Sequence, residues 1–392
     1  MVATSPFDAV NLDALRRRRS EKWTAFPEDV LPAHIAEMDF DLAPPVRRAL
    51  EDAVANGDLG YAAAARSALG RAFAAFAERR WQWEVDPDAV VAVPDVMVGV
   101  AELLRILTEP RDGVVINTPV YPPFFSHIAE VERTVVEVPL LGLEAERRLP
   151  LDGIRGAFKS GARAMLLCNP HNPTGYVARE DELLALSEIV GAHDGVLLSD
   201  EIHGPLTLPG TKHVPFCSLP AGAADAAIVL TSATKAWNFA GLKCGLAVGR
   251  SQRMREALAA LPVDLHDRVG HLGVIASIAA FTEGDAWLDE LRAYLAATHA
   301  WLPELLAERV PGVVYHPASA SYLAWLDFRA LALGDDPTAH FLAHGRVALV
   351  PGPTFGAPGR GFARLNVGTS RALVEEAVRR LAAAVSGGRL NE

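Results

Sequence analysis

A lysine set among small and apolar residues is the first feature of this sequence that could do chemistry. Lys235 stands in residues 231–245, TSATKAWNFAGLKCG, with Ala233, Ala236, Trp237 and Phe239 around it. An amine in such surroundings can lose its proton, act as a nucleophile and form an imine. A lysine in an exposed loop is the plain alternative, and those neighbours argue against it. Ser232 and Lys243 flank Lys235 and could together hold a phosphate.

Three other segments carry candidate chemistry. Residues 169–175, NPHNPTG, follow the apolar run AMLLC; two Asn-Pro steps and a glycine force a turn there. In an open α/β sheet the C-terminal end of a strand is where ligands sit, although a plain turn would look the same. Residues 197–203, LLSDEIH, put Asp200 at the end of another apolar run. A carboxylate there is costly unless paired, so Asp200 either caps a helix or faces a ligand cation. Residues 364–366, RLN, place Arg364 inside a late apolar strand. That guanidinium wants a bidentate partner, either a substrate carboxylate or a structural ion pair.

The elements that must position these residues follow from hydrophobic patterning. Runs at 90–93, 114–116, 135–138, 164–168, 196–198, 228–230 and 246–248 are nearly continuous and apolar. Such runs suit strands buried on both faces of a mostly parallel sheet. Helix patterns lie between them. One covers 102–107. Another covers 180–190, with Leu183, Leu184, Leu186, Ile189 and Val190 on one stripe and Gly191 at its end. The alternation predicts a doubly wound α/β domain. Beyond Thr282 the pattern changes to a helix over 286–310 interrupted at Pro303, strands at 313–315, 322–326 and 363–367, and a closing helix over 371–385. We read residues 46–284 as a large domain, and residues 1–45 and 285–392 as a smaller α+β domain formed by both ends.

Bulk properties bound the function. A chain of 392 residues suits two domains, and 50% hydrophobic content supplies ordinary cores. A formal net charge of -11 repels phosphate backbones and argues against nucleic acid as a partner. The basic run at 16–19 reads as a solvated helix face. The three cysteines, Cys168, Cys217 and Cys244, are widely spaced and imply no disulfide framework, as expected of buried thiols in a reducing cytoplasm. No run of 18 apolar residues predicts a membrane span, and no signal-peptide pattern opens the chain. No GxGxxG follows the first strand, which argues against a nicotinamide dehydrogenase. No recognition-helix pattern marks a DNA-binding regulator, and no metal site is expected.

Taken together, the order and spacing of these segments resemble the fold-type-I pyridoxal phosphate enzymes, the aspartate aminotransferase superfamily, over nearly the whole chain. AEMDF at 36–40, GY at 60–61, NTPVYPPF at 117–124, SDEIH at 199–203 and KAWNFAGLKCG at 235–245 are similar to the MalY/PatB-type cystathionine β-lyase, or cysteine-S-conjugate β-lyase, branch. The resemblance implies the PLP-dependent transferase-like fold and assigns roles. Lys235 becomes the Schiff-base lysine and general base, Asp200 the partner of the pyridinium nitrogen, and Tyr121 the aromatic residue stacked on the ring. Asn172 is bonded to the ring 3-oxygen, and His203 stands where many aminotransferases have tyrosine. Ser232, Lys243 and the backbone N–H groups of Val96 and Met97 hold the phosphate. Tyr61 reaches the cofactor phosphate of a neighbouring subunit, so a homodimer with interfacial sites is implied. Tyr121 and Tyr61 join Lys235 as expected catalytic residues. Arg364 anchors the substrate α-carboxylate, with Tyr121 and Asn172 beside it. The implied reaction is α,β-elimination of L-cystathionine or an L-cysteine S-conjugate to a thiol, pyruvate and ammonia; transamination between an L-amino acid and a 2-keto acid is the alternative. Two positions depart from the branch. Asp95 replaces an expected glycine and brings a negative charge to the phosphate end. His34 replaces a frequent tryptophan close to the substrate.

Overall fold

All seven apolar runs become strands of one sheet. The computed structural model describes residues 5–62, 65–142 and 146–387. In chain order the strands are β1 (Leu31–Pro32), β2 (Val90–Val93), β3 (Gly113–Ile116), β4 (Thr134–Glu137), β5 (Ala162–Cys168), β6 (Val196–Asp200), β7 (Ala227–Thr231), β8 (Gly245–Gly249), β9 (Val314–Tyr315), β10 (Leu323–Asp327), β11 (Val347–Ala348), β12 (Val350–Pro351) and β13 (Phe362–Asn366). The large sheet has the order β2-β8-β7-β6-β5-β3-β4. Only β8 runs against its neighbours; the other pairings are parallel. β6, β7 and β8 are buried at every residue, as strands covered on both faces must be. β4, at the sheet edge, is only half-covered.

Helix Val96–Leu107 lies hard against this sheet. A Cβ added at Gly99 would stand 2.9 Å from Leu230 Cδ2, so a larger residue would push the helix away. Helix Glu180–Gly191 forms where the stripe predicted it.

A four-stranded antiparallel sheet, β12-β13-β10-β9, follows, and β1 pairs in parallel with β11. The helix Asp285–Arg309 runs through Pro303 without a break, contrary to the expected interruption. Proline removes one bond to the preceding turn, but Leu302, Leu305 and Leu306 are buried on either side and hold the helix in register. Chain ends meet here: Leu15, Leu31 and Ala33 share a core with Leu306, Phe341 and Leu365. Phe7, Met38 and Phe40 instead join the core of the large sheet. Nor is the basic run at 16–19 wholly solvated, because Arg18 turns inward and its Nη2 donates to the carbonyl of Asp39 at 2.9 Å. All three cysteines are free and buried. Among the described residues no helix is long and apolar enough to cross a membrane.

Candidate active site

Three adjacent parallel strands bring the predicted segments to one edge. Cys168 at the end of β5 lies opposite Asp200 at the end of β6, and Asp200 lies opposite Leu230 in β7. The Asn-Pro turn, Asp200 and the lysine segment therefore open at the same C-terminal edge, where a parallel sheet offers a crevice. Tyr121 follows β3, helix Val96–Leu107 follows β2, and Lys243 precedes the reversed strand β8, so these reach the same edge. A cavity of about 260 Å³ forms there, lined by Val96, Met97, Tyr121, Asn172, Asp200, His203, Lys235 and Lys243, together with Asp95 and Thr234.

Lys235 and Asp200 are each displaced from their ordinary protonation. Burial lowers the Lys235 amine to about 8; the Arg364 cation adds to this and Glu37 opposes it. Its Nζ donates to the carbonyl of Ala36 at 2.7 Å. Burial raises the Asp200 carboxyl to about 7, against a hydrogen bond from the Ile202 N–H to Oδ1 at 3.1 Å. Glu201 adds to the rise from beneath. That carboxylate is held by Ser199 Oγ and the Phe216 N–H, both at 2.8 Å, and by His213 Nε2 at 3.1 Å. Asp200 thus caps only a local turn, and no ion pair reaches it among the described residues. A ring cation arriving here would restore its charged form.

Arg364 is a cation without an acid. It lies in β13, only 4% exposed. Nη1 donates to Asn172 Oδ1 at 3.0 Å and Nη2 to the His34 carbonyl at 2.8 Å. Nε is buried with no partner. Burial lowers the guanidinium to about 10, so it stays charged at neutral pH. No carboxylate pairs with it among the described residues, which disposes of the structural ion pair as its reason for burial. Arg364 does not line the cavity itself; it joins it through Asn172.

The remaining expected residues divide. Tyr121 lines the cavity, its phenol pushed up to about 12 by burial and then by Asp200. His203 is pushed down to about 3 by burial, then by Lys235, and is neutral; its Nδ1 faces Ser321 Oγ at 3.0 Å. Val96 and Met97 supply first-turn N–H groups, which no earlier turn can bond. Ser232 lies beneath the cavity, and its hydroxyl donates to the Cys244 carbonyl at 2.6 Å. Of the two side chains it is Thr234 that lines the cavity, its hydroxyl 2.8 Å from Ser232 Oγ. Lys243 does line it, but its Nζ is held by Asp95 Oδ2 at 3.2 Å. Asp95 is therefore not turned away from the phosphate end. Tyr61 is 87% exposed and does not line the cavity. His34 meets Arg364 with its carbonyl, while its ring, lowered to about 4 by burial, packs edge-on to Phe26 with centroids 5.0 Å apart.

Several participants were missed. The Ala36 carbonyl also accepts from the Tyr322 hydroxyl at 3.0 Å. Asn238 clamps the N–H and carbonyl of Met38, and Asn366 holds the carbonyls of Ile35 and Glu37. A hydroxyl one residue before the lysine could have pointed to Thr234. Tyr322, at the head of an apolar run, carried no such signal.

This set suits a molecule with an aldehyde for Lys235, a ring nitrogen for Asp200, a face for Tyr121 and a phosphate for the helix end. Asp200, with no ion pair among the described residues, and the first-turn N–H groups fit pyridoxal phosphate. The family described as aminotransferase class I and II matches residues 29–381. The chain is 36% identical to a cystathionine beta-lyase of Corynebacterium glutamicum, covering 95% of this chain and 98% of that one. Cystalysin from Treponema denticola, solved with a pyridoxal 5'-phosphate cofactor, is 28% identical with a TM-score of 0.88, covering 95% of this chain and 97% of its own. N-succinyldiaminopimelate aminotransferase from Mycobacterium tuberculosis is 28% identical with a TM-score of 0.81, covering 90% and 92%.

Proposed function

The chain belongs to the aminotransferase class I and II family, which uses pyridoxal phosphate, and from that premise we propose that it is a carbon–sulfur β-lyase, splitting L-cystathionine or an L-cysteine S-conjugate into a thiol, pyruvate and ammonia. The observation that carries this reading is a cavity that joins an amine poised near neutrality to a buried acid, backed by an arginine with no carboxylate partner among the described residues. The likeness to cystathionine beta-lyase and to the MalY/PatB-type motifs supports elimination over transfer.

Bound pyridoxal phosphate supplies a sink for the electron pair left when a proton leaves the substrate α-carbon. The protein decides which bond breaks. Lys235 would hold the aldehyde end of the cofactor, and its amine, already below the usual lysine range, would be the base that accepts the substrate α-proton. Asp200 would hold the proton on the ring nitrogen and be kept ionised by that contact. Tyr121 would cover the ring, and Asn172 and His203 would serve its oxygen. The N–H groups of Val96 and Met97, Lys243, Thr234 and, one step behind, Ser232 would hold the phosphate. Arg364, beside Asn172 and Tyr121, takes the α-carboxylate and so fixes which substituent stands over the base. A thiolate on the β-carbon could then leave, the proton taken by Lys235 could pass to it to give the thiol, and water would complete the release of pyruvate and ammonia.

Purified protein with pyridoxal phosphate and L-cystathionine, and no keto acid, should release pyruvate over many turnovers. Cofactor aminated in a single turnover, with further reaction only after a keto acid is added, would establish the aminotransferase reading instead, the one that the likeness to the Mycobacterium tuberculosis aminotransferase favours.

We also take the active assembly to be a homodimer in the cytoplasm. Val54, Leu59 and Tyr61, 58%, 61% and 87% exposed, leave apolar side chains in water within eight residues of chain. Sedimentation should give twice the chain mass, and Tyr61→Ala should lower activity without dissociating the pair. A fully active monomer would end this part of the proposal.

A further inference from the structure

We propose that Asp95 is a built-in competitor for the cofactor phosphate, and that it sets how strongly this chain prefers the phosphorylated cofactor to its unphosphorylated form. The inference rests on the cofactor assignment above but not on which reaction follows.

Asp95 occupies the N-cap of helix Val96–Leu107. Oδ1 accepts from the Val98 N–H at 2.9 Å, and Oδ2 lies 3.2 Å from Lys243 Nζ. Asp95 and Lys243 both line the cavity, as do Val96 and Met97 of the first helical turn, while the Val98 N–H stands just behind them. The carboxylate is thus already in the place where an incoming anion would find its charge partners. A phosphate ester carries about -1.5 to -2 at neutral pH. On arrival it meets a lysine that already has a carboxylate partner and a helix end that already faces one negative charge.

Asp95 is not free to leave, because the Val98 N–H holds it in the cap. Lys243 is free to move. Its side chain is 61% exposed, and that of Asp95 is 35% exposed, so water screens the pair and Lys243 can turn from carboxylate to phosphate. What it cannot do is satisfy both fully. The remaining phosphate donors are the uncharged N–H groups of Val96 and Met97 and the Thr234 hydroxyl. Against this loss, Asp95 caps the helix and holds Lys243, whose backbone is left-handed at φ 54°, beside the site when no phosphate is present.

The substitution Asp95→Asn keeps the capping oxygen and removes the charge. Pyridoxal phosphate and pyridoxal are each titrated into the cofactor-free full chain, wild type and Asp95→Asn, and followed by absorbance. Asp95→Asn should bind pyridoxal phosphate about fivefold more tightly, the size of an exposed charge interaction. Binding of pyridoxal should be unchanged. Lys243→Gln should weaken pyridoxal phosphate more in the Asp95→Asn background than in the wild type, because the lysine is then no longer shared. Unchanged or weaker phosphate binding in Asp95→Asn, an equal shift for both ligands, or the same cost of Lys243→Gln in both backgrounds would each overturn the proposal. Because these are equilibrium binding readouts, they stand whether the enzyme proves to be a lyase or an aminotransferase.

Discussion

Lys235→Ala should lose turnover by about 10²- to 10⁴-fold, the usual worth of a positioned proton acceptor. No neighbour can replace it. His203 is pushed down to about 3, with Nδ1 against Ser321, so it is a poor base at neutral pH. The Tyr121 phenol is pushed up to about 12 and holds its proton. Asp200 is raised to about 7 mainly by burial, and with the cofactor held as proposed it would be committed to the ring nitrogen. The same reasoning fixes a pH profile. A base must be unprotonated to accept a proton, and burial and Arg364 bring the Lys235 amine to about 8. Where the proton transfer limits the rate, activity should fall as pH drops below about 8 and level off above it. A small exogenous amine should restore part of the activity of Lys235→Ala, because the cavity left by the side chain opens where the amine stood. A variant that keeps a tenth or more of the wild-type rate without added amine would remove Lys235 from the role of base.

How much of this was legible in the sequence depends on what kind of group does the work. The strands of the large sheet were readable to within two residues, because burial on both faces demands unbroken apolar runs such as AIVLT. Asp200, Asn172 and Lys235 were readable because each breaks or follows such a run with a residue that is costly there. Contributions from the backbone were not. The Ala36 carbonyl that receives Lys235 leaves no mark on an alanine, and Tyr322 looks like any aromatic opening an apolar strand. The choice of Thr234 over Ser232 was not legible, because it is the hydrogen bond of the Ser232 hydroxyl to the Cys244 carbonyl, a backbone partner, that goes with Thr234 lining the cavity instead. Strands of two residues, such as β1 and β11, are too short for any periodicity to appear. Pro303 shows the opposite limit, where packing along a 25-residue helix overrides a local rule.

Arg364→Met should separate catalysis from stability. The side chain is buried, its Nε has no partner, and no carboxylate neutralises it among the described residues. A substrate α-carboxylate would complete a buried, hydrogen-bonded charge pair, and truncating one member of such a pair costs about 2–5 kcal/mol. We therefore expect kcat/KM for L-cystathionine to fall by about 10²- to 10³-fold. Lysine should not rescue it, because one ammonium cannot reproduce the planar fork that now spans Asn172 Oδ1 and the His34 carbonyl. The fold, by contrast, loses a desolvated cation that two neutral acceptors, Asn172 Oδ1 and the His34 carbonyl, offset only in part when substrate is absent. Even a complete buried ion pair can often be replaced by apolar side chains of similar volume at no cost to stability. The melting temperature should therefore hold or rise while activity collapses. A substrate analogue lacking the α-carboxylate supplies the control: wild type and Arg364→Met should treat it alike. If instead the variant unfolds at a lower temperature and loses both substrates equally, Arg364 serves to tie the segment around His34 to the Asn172 turn, and the substrate carboxylate must find its cation elsewhere in the cavity.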